Sequence, residues 1–121
     1  MALLDDYKKF LREQGKSENT IKTYSGHVNE YYRWYKDTFG EELTLLYHTN
    51  ILDFRSYLQN IKKLKFKSID TKLSSLTNFN EFLVQIGVQK DLVITAEDRL
   101  KFQQDIASPA EIEKKDVEAF L

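Results

Sequence analysis

A chain of 121 residues makes one domain, and at this size about two thirds of the unfolded surface can be buried, enough for a core without metal or disulfide staples. With 41% hydrophobic and 31% charged residues and no apolar run near the roughly 18 residues of a membrane span, the sequence argues against disorder and against a transmembrane segment, and the lack of cysteine excludes disulfides, thiolate zinc sites and a cysteine nucleophile. Eighteen basic residues nearly cancel nineteen acidic ones, but residues 1–90 hold 14 basic against 11 acidic and residues 91–121 hold 4 against 8, which makes a basic body with an acidic tail.

Met1-Ala2-Leu3-Leu4-Asp5-Asp6 turns acidic before a signal-peptide hydrophobic stretch could form, so a cytoplasmic location is expected. Leu3, Leu4, Tyr7, Phe10 and Leu11 recur at three- and four-residue steps and predict a first helix ending at Gly15. Ser17 is a good N-cap for a second, carrying Ile21, Tyr24, Val28, Tyr31, Tyr32 and Tyr35 to a break at Phe39-Gly40. Periodicity then lapses, and Leu43, Leu45 and Leu46 are expected to dock a connection on the core. A third helix is expected from Thr49 or Asn50 through Ile51, Phe54, Leu58 and Ile61. After the basic stretch Lys62-Lys63-Leu64-Lys65-Phe66-Lys67, Ser68 is expected to cap a fourth helix whose buried stripe is Ile69, Leu73, Leu76, Phe79, Leu83 and Ile86, ending at Gly87. No alternating strand pattern occurs in these residues, so an all-α, compact four-helix domain over residues 1–88 is expected. Residues 89–121 read as a connector, extended over 88–95 and helical over 96–106, followed from Ile112 by the opening of a further helix.

Convergent catalytic chemistry is missing from this pattern. His27 and His48, the only two histidines, do not stand at a paired-ligand spacing from one another, and the four glycines are scattered rather than grouped into a phosphate-cradling loop, so no metal and no cofactor is expected. His27 is expected on a solvent-facing side of its helix. Within Tyr31-Tyr32-Arg33-Trp34-Tyr35, core packing explains the rings more economically than base stacking, with Trp34 under the following loop and the tyrosine hydroxyls reaching water.

Two helix starts resemble each other. Lys16, Ser17, Thr20, Lys22 and Thr23 open the second helix, and Lys65, Lys67, Ser68, Thr71 and Lys72 open the fourth, with Ser75 and Asn78 continuing a small polar face. Free backbone N–H groups, short hydroxyls and lysines suit DNA phosphates, and a face of small polar side chains suits a major groove. The same residues also suit a solvated loop with ordinary caps, and both readings stand at this point. A single contiguous cationic surface built from the two helix starts and the lysine-rich turn is the expectation on which the DNA reading rests.

The order Leu4-Tyr7-Phe10-Leu11, then Ser17-x-x-Thr20-Ile21-x-x-Tyr24, then Ile51-Leu52-x-Phe54-x-x-Tyr57-Leu58, then Ser68-Ile69-x-x-Lys72-Leu73-Ser74-Ser75-Leu76-x-x-Phe79-x-x-Phe82-Leu83 with Gly87, resembles the core-binding, SAM-like N-terminal domain of phage integrases, the tyrosine recombinases. The resemblance covers about residues 3 to 88, and Ile112 to Leu121 is similar to the opening of that family's catalytic domain. It implies a SAM-like module forming half of a clamp on double-stranded DNA, with the catalytic domain of the same chain as the other half and an oligomer assembled on DNA. Carried onto this sequence, the DNA-facing positions are Lys16, Ser17, Thr20, Lys22 and Thr23, and Lys67, Ser68, Thr71, Lys72 and Ser75, to which the charge pattern adds Lys65. The segment after Gly87 departs from the Asn-Pro pair of many relatives. Neither histidine begins a His-x-x-Arg motif, and the arginines are Arg12, Arg33, Arg55 and Arg99, so the fragment is expected to bind DNA and cleave nothing. A helical protein-interaction module is the alternative.

Overall fold

The computed structural model describes residues 2–94; the helices expected over 96–106 and from Ile112 lie outside them. Four helices follow in order: α1 (Ala2–Glu13), α2 (Glu18–Phe39), α3 (His48–Asn60) and α4 (Phe66–Gln85). The described residues contain no strand. α1 ends because Gly15 takes a left-handed φ of 81°, a conformation open to glycine at little cost, and the Lys16 N–H turns back to the Leu11 carbonyl. Ser17 caps α2 as expected, its hydroxyl accepting from the Thr20 N–H at 3.1 Å.

Two other starts differ from the expected ones. α3 begins at His48 behind Tyr47, and α4 at Phe66 behind Lys65, both without a side-chain cap bond. Ser68 therefore lies inside the first turn of α4. Burial of Ile51, Phe54, Ile69 and Leu73 sets these helices, so each is held by tertiary packing without a capping side chain.

The core takes the predicted stripes from every helix. Tyr7 and Leu11 of α1, Val28 and Tyr31 of α2, Phe54 and Leu58 of α3, and Ile69, Leu76 and Phe79 of α4 are fully buried, with Leu43 and Leu46 of the connection also buried and Leu45 only partly so. Ile86, expected in the stripe, is 45% exposed because α4 has already ended at Gln85. Two ring clusters fill the interior: Tyr7, Phe10, Phe79 and Phe82 between α1 and α4, and Tyr31, Trp34, Phe54 and Tyr57 between α2 and α3. Trp34 thus packs on α3, with Phe39 edge-on to it, rather than under the loop. The Tyr32 hydroxyl donates to Glu42, whereas the Tyr31 hydroxyl does not reach water: it is buried and has no hydrogen-bond partner among protein atoms.

Packing continues beyond the expected boundary at residue 88. Buried Asn80 donates from Nδ2 to the Asp91 carbonyl, and its Oδ1 accepts from the Val93 and Ile94 N–H groups at 2.7 and 3.3 Å, which seats Ile94 in the core at 2% exposure. Gln89 bridges in both directions to the Leu46 backbone. The non-helical segment after Gly87 is thus strapped across the α2–α3 connection.

Replacing Asn80 by Ala strips these backbone groups of their partner at a buried site, and a loss of about 2 kcal/mol is expected in urea unfolding. Tyr31→Phe is expected to leave stability unchanged or raise it by about 1 kcal/mol, because it removes a desolvated hydroxyl and keeps the ring contacts; a loss of similar size in the same assay would show that the hydroxyl is satisfied in solution.

Candidate nucleic-acid interface

The small polar face of α4 is spent largely on helix contacts. Ser75 is fully buried: its Oγ lies 2.8 Å from His27 Nδ1 and 3.3 Å from the Thr71 carbonyl. A hydroxyl has one proton, so both contacts are met when Ser75 donates to Thr71 and accepts from an Nδ1–H tautomer of His27, an assignment inferred from this network. Lys72 Nζ reaches Glu30 Oε1 at 2.6 Å, with 19% and 29% of the two side chains exposed. Asn78 accepts from the Tyr7 hydroxyl at 2.6 Å. Ser75 and Asn78 therefore face α2 and α1 rather than a groove, and Lys72 is partly covered and paired rather than outward-facing. His27, expected in solvent, is half-buried in the same seam.

These contacts also set the direction of the pair. A step of three residues forward in α2, from His27 to Glu30, is a step of three backward in α4, from Ser75 to Lys72, so the helices run antiparallel. Their N-termini consequently lie at opposite ends. Ten residues separate Ser17 from His27 and eight separate Lys67 from Ser75, which at 1.5 Å per residue amounts to roughly 27 Å along the pair. The single contiguous patch expected from sequence is in fact two cationic regions.

One region surrounds the start of α2. Lys16, Ser17, Lys22 and Thr23 are exposed and Thr20 half-exposed, but they diverge: Lys22 borders a shallow depression with Lys8 and Arg12 of α1, while Thr20 and Thr23 border another with Asn19 and Tyr24. Lys8 and Arg12 were not singled out from sequence, since only the antiparallel docking of α1 brings them beside Lys22. Arg12 is engaged by Glu18 at 3.3 Å across the exposed turn.

The other region is the α3–α4 connection. Lys62, Lys63, Lys65 and Lys67 are all exposed, with Ser68 and Thr71 exposed on the first turns of α4. Thr71 Oγ1 donates back to the Lys67 carbonyl at 2.9 Å. The turn is held in shape: Lys63 is the only described non-glycine residue with positive φ, 57°, and this left-handed twist lets the Leu64 N–H bond the Leu58 carbonyl while Leu64 packs against the core. Lys62 also lines a depression with Gly26, Glu30, Arg33, Trp34 and Asp37 of α2, so Arg33 joins this end of the surface beside the Glu30 and Asp37 carboxylates. Neither its proximity nor that of Lys62 to α2 is visible in the spacing of the sequence.

Among the described residues no group of three or more His, Asp or Glu is arranged to hold a metal ion, and no helix is long and apolar enough to cross a membrane. Burial, and then the nearby Lys72 ammonium, push the His27 imidazole below its usual range, with Glu30 opposing more weakly. Because the folded state favours neutral His27, its contribution to stability is present above about pH 6.5 and is lost as pH falls below it. His27→Gln is expected to flatten the fall in Tm between about pH 7.5 and 5.5 seen with the parent; parallel curves would show that the imidazole does not titrate against the seam.

The profile of the phage integrase N-terminal SAM-like domain matches residues 3–90. Among curated proteins, the TnP I resolvase of Bacillus thuringiensis is 42% identical over 121 residues, which is 100% of this chain and 43% of the relative. The chain thus spans less than half the length of that protein. No solved structure matches it. With four helices in the expected order and the profile running from α1 to the strap after α4, the chain belongs to the phage-integrase N-terminal SAM-like domain family.

Proposed function

We propose that this chain is the module with which a site-specific tyrosine recombinase of a mobile element grips duplex DNA at its core site, as half of a clamp completed by a catalytic domain beyond it. The single observation that carries the reading is the fixed turn bearing four exposed lysines at the start of α4, in a chain of the integrase family. The word resolvase in the relative's name, and the share of that protein left uncovered, support a catalytic domain elsewhere in the whole protein. No catalysis is assigned to these residues, an assembly on DNA is assigned to the whole protein, and the cytoplasm is the compartment where such DNA is met.

Phosphate contacts are assigned to Lys65 and Lys67 with Ser68 and Thr71 at one end, joined by Lys62 and Lys63, and to Lys16, Ser17, Thr20, Lys22 and Thr23 at the other. A separation of roughly 27 Å is less than one turn of B-DNA, about 34 Å, so both ends can meet one duplex. Lys72 and Ser75 act by holding α4 against α2 rather than by touching DNA. An apolar area including Tyr47, Val88 and Leu92, each 41–51% exposed beside the Gln89–Leu46 bridge, supports a protein contact at that separate location.

If the four lysines of the turn together with Lys16 and Lys22 neutralise phosphates, log affinity for duplex DNA falls with log salt at a slope of about −5, since each contact contributes about 0.9. Lys65→Ala and Lys67→Ala are each expected to make the slope shallower by about 1, across DNA sequences. Lys72→Ala is expected instead to lower stability by about 1 kcal/mol and leave the slope near that of the parent, because it strands Glu30 in the seam. A slope near zero for the parent chain in fluorescence-anisotropy titrations would exclude the DNA assignment.

A further inference from the structure

We propose that Ile61 is an apolar wedge that enters a base step of the duplex gripped by the lysines around it, unstacking that step as the DNA docks; this rests on the DNA-binding reading above. At 69% exposure Ile61 is the most exposed large hydrophobic residue among those described, and Phe66, at 38%, stands across the same turn. Lys62, Lys63, Lys65 and Lys67 follow it within six residues, and no Asp or Glu occurs from residue 54 to residue 69.

That combination selects the partner. Protein interfaces are depleted of lysine where apolar anchors are buried, so an exposed isoleucine followed by four lysines within six residues is poorly suited to a protein groove. Duplex DNA presents the complementary layout, with apolar base faces between two rows of phosphates, and it accepts Ile, Leu or Phe side chains between bases when flanking cations hold the backbone. The residue is also held ready. Ile61 donates its N–H to the Tyr57 carbonyl, as does Lys62, and the left-handed Lys63 ties Leu64 back to Leu58. Ile61 thus sits on a fixed rim, at the end of α3 and just ahead of the free N–H groups of α4, and little freedom remains to be lost when it is inserted.

The test uses the 121-residue chain and a duplex of about 20 base pairs rich in TA steps, the steps most easily unstacked, with 2-aminopurine replacing adenine. The expected result is a rise in 2-aminopurine fluorescence on binding, and tighter binding to a duplex carrying a central mismatch, where unstacking is partly done beforehand. Ile61→Ser is expected to abolish the rise and the mismatch preference and to weaken duplex binding about tenfold, with the salt slope unchanged at about −5. Ile61→Phe should restore both signals. Lys67→Ala should reduce the slope and keep them. Because the side chain is mostly exposed, thermal melts of the Ile61 variants are expected to match the parent.

Four outcomes overturn the wedge. If Ile61→Ser binds and fluoresces like the parent, the wedge fails and the DNA reading stands. If the parent gives no fluorescence rise and no mismatch preference while binding with a slope of about −5, the same conclusion follows. If the parent shows no salt-dependent duplex binding, both fail together. If Ile61 is needed instead for binding vesicles of anionic phospholipid, with no effect on duplex, the residue serves a membrane surface.

Discussion

The contact between α2 and α4 decides where every cation of this surface can lie. Ser75 meets His27 and Lys72 meets Glu30 at successive turns, and two such pairs with opposite progression allow only an antiparallel arrangement. The remaining helices adapt to that seam. α1 docks on α4 through Tyr7, whose ring packs against Phe79 and whose hydroxyl reaches Asn78, while α3 packs Phe54 and Tyr57 on the aromatic half of α2. A polar seam of this kind contributes less net energy than an apolar one, but its buried groups demand their partners, which fixes register.

That register gives the domain two cationic regions roughly 27 Å apart along the helix pair. Each is framed differently. The α2 end has a capped helix start and a turn closed by a left-handed glycine, with acidic Glu18 drawing off Arg12. The α4 end has no Asp or Glu in the turn itself, with Glu30 and Asp37 of α2 sharing a depression with its Lys62, and it has a left-handed lysine and a helix start left uncapped by any side chain. Free amides, four lysines and an exposed isoleucine thus share a location where packing alone offers no reason for the last of them.

Opposite the binding question stands the chain's exit. Asn80 and Gln89 convert the residues after α4 into part of the domain, so that whatever follows residue 94 leaves from an anchored point rather than from the end of a helix.

Helix number, order and core stripes were legible in the sequence because burial repeats every three to four residues, and Ser17, Gly15 and Gly40 mark ends through local backbone chemistry that needs no partner. The family was legible too, since its pattern is that same spacing in a fixed order. What lay beyond the sequence was the use of each polar residue. Ser68 reads as a cap, yet helix start is decided by how far core burial reaches along the chain. Ser75, Lys72 and Asn78 read as a binding face, because a small polar stripe suits a neighbouring helix as well as a groove, and only their placement against His27, Glu30 and Tyr7 separates the two. Lys8 and Arg12 entered the surface only through docking. Local periodicity determined the elements, whereas the direction in which α2 and α4 pack, a property of side chains some 45 residues apart, decided that the cations form two regions instead of one.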